Sequence, residues 1–196
     1  MPHEQYRRLM EEMLDNKLYR HSLGVAEAAA SLAERYQADV QKAYFSGIVH
    51  DYGKRYSSNE LIARADRLKI TLDRITRQES RLLHAPVGAA LLRAELNIND
   101  PEILRAVAYH TTGRNRMSGL EKVVYLADYI EKGRKFPGVE NIRQIARKDI
   151  DRALLAAVEF AIGSVMERGL MLHPRSVAFR NYLLASLRSR KRKSCL

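Results

Sequence analysis

The chain has 196 residues and a net charge of +11, with 34 lysines and arginines against 23 aspartates and glutamates, six histidines, one cysteine and no tryptophan. An apolar fraction of 46% in that length fits one globular unit with a substantial core, and no apolar run approaches the ~20 residues a membrane span needs. The lone Cys195 can close no intrachain disulfide and the polar start around Glu4, Arg7, Arg8, Glu11 and Glu12 holds no signal core, so the composition reads as that of a soluble cytoplasmic protein.

Nearly every segment reads as helix. A first helix is predicted from Glu4 to Leu14 and a second from Leu18 to Tyr36; Asp39 caps a third, which ends near Asp51 because Tyr52-Gly53 follows. Ser57 with Glu60 makes a capping box for a helix through Leu68, and Arg81 to Leu96 forms the next despite Pro86. Asn99-Asp100-Pro101 opens a helix that stops at His110, and Ser118 with Glu121 opens one that carries Asp128 and stops at Gly133. Val139 to Ala146, Asp149 to Arg168 and Arg175 to Leu187 complete the set. With no alternating strand pattern, the expected fold is all-α, a single helical bundle over residues 1–187. Residues 188–196 form a basic tail, expected to be disordered and able to touch a polyanion without reading its sequence; Arg188, Arg190, Lys191, Arg192 and Lys193 leave about +6 on the rest.

His21, the dipeptide His50-Asp51, His84, His110 and Asp128 break the apolar stripes of these helices. His21 lies on the face of Leu18, Val25, Ala29 and Leu32; Asp51 lies centrally on the face of Val40, Ala43 and Gly47, with His50 at its border; His84 shares a stripe with Val87, Gly88 and Leu91. His110 follows Ile103, Ala106 and Val107, and Asp128 flanks Val123, Val124 and Ala127. An unpaired carboxylate or imidazolium on such a face costs several kcal/mol, on the order of a whole domain's stability, and a cation that all of them ligate removes the cost. Singly, a histidine there is more often a hydrogen-bonded core residue and an aspartate near a helix end more often a cap. Jointly, imidazoles and carboxylates suit zinc, iron or manganese and place a metal site between the helices.

Such a metal lowers the pKa of bound water from about 15.7 to about 7, so hydroxide on the metal serves as nucleophile at neutral pH; two metals about 3.5–4 Å apart also orient the phosphoryl group. Asp51 is the candidate to bridge metals or orient the attacking water, with an ordinary terminal ligand as the other reading. Lys54 and Arg114, in the loops after two ligand-bearing helices, supply positive charge for phosphate oxygens, and the backbone of Thr111-Thr112-Gly113 is either a phosphate cradle or a helix-stop turn.

The order His21, His50-Asp51, Asp128 resembles the signature of the HD-domain metal-dependent phosphohydrolases, an all-helical superfamily. The stretches His50-Asp51-Tyr52-Gly53-Lys54, Leu83 to Gly88, Tyr109 to Arg114 and Leu126 to Glu131 are similar to those of the YqeK group of bacterial symmetrical diadenosine tetraphosphate hydrolases, from about residue 16 to residue 182. The resemblance implies that His21, His50, Asp51 and Asp128 hold a metal, iron first, with manganese, magnesium or another divalent ion as alternatives. It implies that His84 and His110 complete a second metal position or, with one metal, touch the phosphates. It also places Lys54 on a phosphate and Arg134 and His173 against the nucleotide of the substrate, a dinucleoside polyphosphate cleaved centrally into two ADP, while Thr111, Thr112 and Arg114 stand as substrate contacts on the reading of their loop above. It says nothing of the basic tail, and a homodimer is compatible with it.

Two other readings compete. Another HD phosphohydrolase specificity, a nucleotide phosphatase or phosphodiesterase, would keep the same ligands without needing the loop from Thr111 to Arg114. A non-enzymatic RNA- or ribosome-associated protein would use the basic tail and a structural metal, but such sites close with four ligands where this chain offers six.

Overall fold

The computed structural model describes residues 3–193, and among them every regular element is helical. The helices are α1 (His3–Met13), α2 (Asn16–Tyr36), α3 (Val40–Val49), α4 (Ser58–Arg67), α5 (Arg74–Gln78), α6 (Ser80–Leu96), α7 (Pro101–Tyr109), α8 (Gly119–Ile130), α9 (Val139–Ala146), α10 (Ile150–Glu167) and α11 (Pro174–Lys193), with a 3-10 turn over Tyr52–Arg55. The expected all-α bundle is thus observed, and none of these helices is long and apolar enough to cross a membrane.

Local chemistry sets most boundaries. Asp39 Oδ1 accepts from Lys42 N at 2.9 Å to start α3, and Asp100 Oδ1 accepts from Glu102 N at 2.8 Å to start α7, with Pro101 at its first position. Ser57 with Glu60 and Ser118 with Glu121 both form full capping boxes. The sequence reading missed α5. Asp73 caps it through Thr76 N at 2.9 Å, but five residues are too few to show an apolar period. The last helix also runs on past Leu187 to Lys193, where a disordered tail was expected. Arg190 pairs there with the buried Asp151, which Lys122 Nζ holds from the other side at 2.7 Å. Residues 194–196 of that tail, Cys195 among them, lie outside the described residues.

α2 is the central element, packed against α3 and α8, while α6 lies against α7 and the 3-10 turn. That last contact needs Gly53: a Cβ there would come within 2.3 Å of the His84 carbonyl oxygen. α10 packs on both α9 and α11, and α9 and α10 lie against α8. Val25, Ala29, Val49, Leu83, Leu91, Val107, Val123, Ala127 and Leu154 fill the core between these layers with no exposure.

Candidate metal centre and substrate cleft

Five helices deliver the six polar residues to one place. His21 comes from the second turn of α2, His50 caps the C-terminus of α3, Asp51 follows it, His84 projects from α6, His110 caps the C-terminus of α7 and Asp128 lies near the end of α8. The Asp51 carboxylate is the hub, fully buried. Its Oδ2 lies 3.2 Å from His50 Nε2 and 3.7 Å from His21 Nε2; its Oδ1 lies 3.3 Å from His84 Nε2 and 3.4 Å from His110 Nε2. Asp128 Oδ1 closes the first group, 2.9 Å from His21 Nε2 and 4.0 Å from His50 Nε2.

The imidazoles are oriented from behind. His50 Nδ1 donates to the Gly47 carbonyl and His110 Nδ1 to the Val107 carbonyl, both at 2.7 Å, which turns each Nε2 toward Asp51. His21 Nδ1 lies 3.2 Å from Glu131 Oε1. Burial pushes His84 down to about 4 against the pull of Asp51, so it is a neutral donor at pH 7. Burial alone would raise the Asp51 carboxyl, but His50, His110 and His84 hold it well below the usual carboxylate range. Asp128 is likewise held far down, burial being outweighed by His21 and Arg134.

These residues fit a divalent cation. His21 Nε2, His50 Nε2 and Asp51 Oδ1 are buried with no hydrogen-bond partner, although they converge with other donor atoms within 4.8 Å of one another. Buried ligand-type atoms left without hydrogen bonds in such a crowd fit a cation, because otherwise each forfeits its solvation with nothing in return.

Two cations flank the cluster. Lys54 Nζ lies 2.6 Å from Asp51 Oδ2, and Arg134 binds Asp128 through its carboxylate and, from Nε, through its carbonyl at 2.6 Å. Arg114, the other expected phosphate ligand, is engaged elsewhere. It makes a bidentate pair with the fully buried Glu121, at 2.5 and 2.7 Å, and stacks over Tyr109 at 5.3 Å. A buried carboxylate without this partner would be costly, so the guanidinium is bound to the fold. The Thr111-Thr112-Gly113 loop is a helix stop: Gly113 N donates to the Tyr109 carbonyl at 2.8 Å, and a Cβ on Gly113, whose φ is +63°, would strike the Phe179 ring. Thr112 is buried with its hydroxyl on the Gly113 carbonyl, while Thr111 faces the cleft.

A cleft of about 310 Å³ opens beside Asp128 and Arg134. One wall carries Phe136 and Phe160, stacked with ring centroids 4.1 Å apart; Arg81, Arg168 and His173 line it with Tyr129 and Ser164. His173 also starts α11: its Nδ1 accepts from Arg175 N at 3.0 Å, so Nε2 carries the proton it gives to Asp73 Oδ2 at 3.1 Å.

The HD domain model matches residues 18–133, more than half of the chain and every residue of the polar cluster. Over 90% of its length the chain is 40% identical to a protein of Halalkalibacterium halodurans described as a symmetrical bis(5'-nucleosyl)-tetraphosphatase, and it covers 94% of that relative. A Bacillus subtilis protein of the same description is 37% identical with the same coverage. The chain belongs to the HD-domain hydrolases, in the symmetrical bis(5'-nucleosyl)-tetraphosphatase group. A crystal structure of an HD superfamily hydrolase from Clostridium acetobutylicum, described as involved in NAD metabolism, superposes with a TM-score of 0.90 at 36% identity, covering 95% of this HD-domain chain and 98% of that one.

Within this HD-domain protein, sequence reasoning missed Glu131, Phe136, Phe160 and Arg168. Glu131 sits in a run already of interest, but an acidic residue at a helix end has no periodic signature. The two phenylalanines are 24 residues apart in separate elements and meet only through folding.

Proposed function

We propose that this HD-domain protein hydrolyses diadenosine tetraphosphate at its central bridge, yielding two ADP. The observation that carries the reading is the position of Asp51: one carboxylate presents one oxygen to His21 and His50 and the other to His84 and His110, in a cluster whose Asp128 lines a cleft of about 310 Å³. The two relatives named above support the substrate, since both are described as symmetrical tetraphosphatases.

His21, His50, Asp51 and Asp128 would hold one ion, and Asp51, His84 and His110 a second; we assign iron to the site. When bound, the metal supplies acidified water and offsets charge on the phosphoryl group. The chain's own residues do the rest. Lys54 and Arg134 set positive charge beside the carboxylates, where it stabilises the growing charge on phosphate and on the departing ADP. Phe136 and Phe160 offer an aromatic face to one adenine, and Arg81, Arg168 and His173 line the path between base and metal ligands. Gripping one half in the cleft sets its second phosphorus at the cluster, and the molecule's symmetry makes either half equivalent. The single Cys195 suits a reduced cytoplasm.

The test is product analysis. Metal-loaded protein incubated with diadenosine tetraphosphate should give ADP alone. ATP with AMP would show the wrong register, and faster turnover of mononucleotides or cyclic nucleotides would favour another HD specificity.

A further inference from the structure

We infer that Glu131 is a positioning residue for the metal ligand His21, and that Arg143 holds Glu131 in place. His50 and His110 sit at helix ends, where main-chain carbonyls are open to accept from Nδ1. His21 lies within α2, whose carbonyls are taken up by the helix, and so needs an acceptor from outside; Glu131 Oε1 is that acceptor at 3.2 Å.

Glu131 is poorly placed for stability. It caps the C-terminus of α8, where the helix dipole disfavours negative charge, and it is buried. Among the described residues its carboxylate forms no ion pair with a lysine or arginine, only the contact with His21. The surroundings nonetheless accommodate it. Gly133 N donates to Oε2, and a Cβ on Gly24 or Gly133 would come within 2.7 or 3.0 Å of the carboxylate oxygens. Arg143, from α9, then fastens the segment: Nε donates to the Ile130 carbonyl at 2.9 Å, and Nη2 to those of Glu131 and Arg134 at 2.6 and 3.1 Å. One guanidinium thereby fixes the backbone that carries both Glu131 and Arg134. A carboxylate behind an imidazole fixes its tautomer and makes the other nitrogen a stronger donor.

The inference rests on His21 being a metal ligand, and its test reads metal binding, not turnover. Metal-free protein is titrated with cobalt(II) against a competing chelator while the visible absorption is recorded. Glu131→Gln keeps the shape but cannot accept from both His21 and Gly133. It should weaken cobalt affinity roughly 10–100-fold and shift the absorption band, while the metal-free thermal midpoint stays the same or rises. Arg143→Lys, which cannot span three carbonyls, should act in the same direction less strongly, and it decides the matter if Glu131→Gln does not fold. Unchanged affinity and band in these variants, with binding lost in His21→Ala, overturns the role of Glu131 alone. Unchanged binding in His21→Ala overturns the site reading and this inference with it.

Discussion

The metal cluster and the cleft wall are built in contrasting ways. Every cluster residue lies between residues 18 and 133, the reach of the HD domain model, and each comes from a helix or helix end, with His50, Asp51, His84 and His110 buried. The cleft takes Arg81, Thr111, Asp128 and Tyr129 from that region, but its aromatic pair, Arg168 and His173 come from Arg134 onward. The polar cluster is thus set between the helices of the HD region, while the cleft beside it draws most of its wall from the α8–α9 loop, α10 and the loop before α11. Loop 168–173 contains the exposed Met171 and none of the cluster residues. On the function proposed above, family membership follows from the cluster and substrate choice from the wall.

Substitutions on the two sides should separate this division. Asp51→Ala should abolish metal retention and lower kcat/KM by more than about 10³-fold, as deletion of one member of a catalytic unit does. Chelation of the wild type should match it in activity. If the ion is normally present at 100 times its Kd, chelation should also lower stability by about 2.7 kcal/mol, a fall of roughly 5–10 °C in Tm for a chain of this size. Full metal content in Asp51→Ala would break the scheme.

Phe160→Ala addresses the wall. The aromatic face is worth about 1–3 kcal/mol per stacked base, so KM for diadenosine tetraphosphate should rise roughly 5- to 150-fold with metal content and kcat nearly unchanged. An equal loss in kcat would mean that the wall also shapes the chemistry.

Arg114→Ala sharpens the comparison from a third position. Because its guanidinium is committed to buried Glu121, the variant should lose about 2–3 kcal/mol of stability, the cost of stranding a buried charge reduced by the partial exposure of Arg114. Its KM should hardly move, whereas Lys54→Ala should weaken catalysis with metal content unchanged. A purely kinetic defect in Arg114→Ala would return that residue to the phosphate.

The smallest effect lies at the seam, where His173 of the wall meets Asp73. Burial opposes ionisation of Asp73, but bonds from the Thr76 backbone and hydroxyl and from His173 hold its carboxyl far below the ordinary value. The folded pKa is depressed, so its contribution is complete above the unfolded value near about 4 and is lost as pH falls through the folded one. Urea midpoints of the wild type should decline below about pH 4 more steeply than those of Asp73→Asn, which retains the cap but not the charge. Parallel curves would show that this carboxylate contributes nothing pH-dependent.

The sequence by itself determined the all-α class, the positions of most helices and the six metal-binding candidates. These depend on local rules: Asp39, Asp100, Ser57 and Ser118 satisfy helix N–H groups within three residues of themselves, and a polar residue on an apolar stripe is visible against its own helix. Only the tertiary structure decided what these residues do to one another. It turned the two oxygens of Asp51 toward different imidazole pairs, paired Arg114 with Glu121, set Glu131 behind His21 across 110 residues, and brought Phe136 onto Phe160. Each of these outcomes depends on which helices lie side by side, and that is settled by packing across the whole chain, to which a single helix's periodicity is blind.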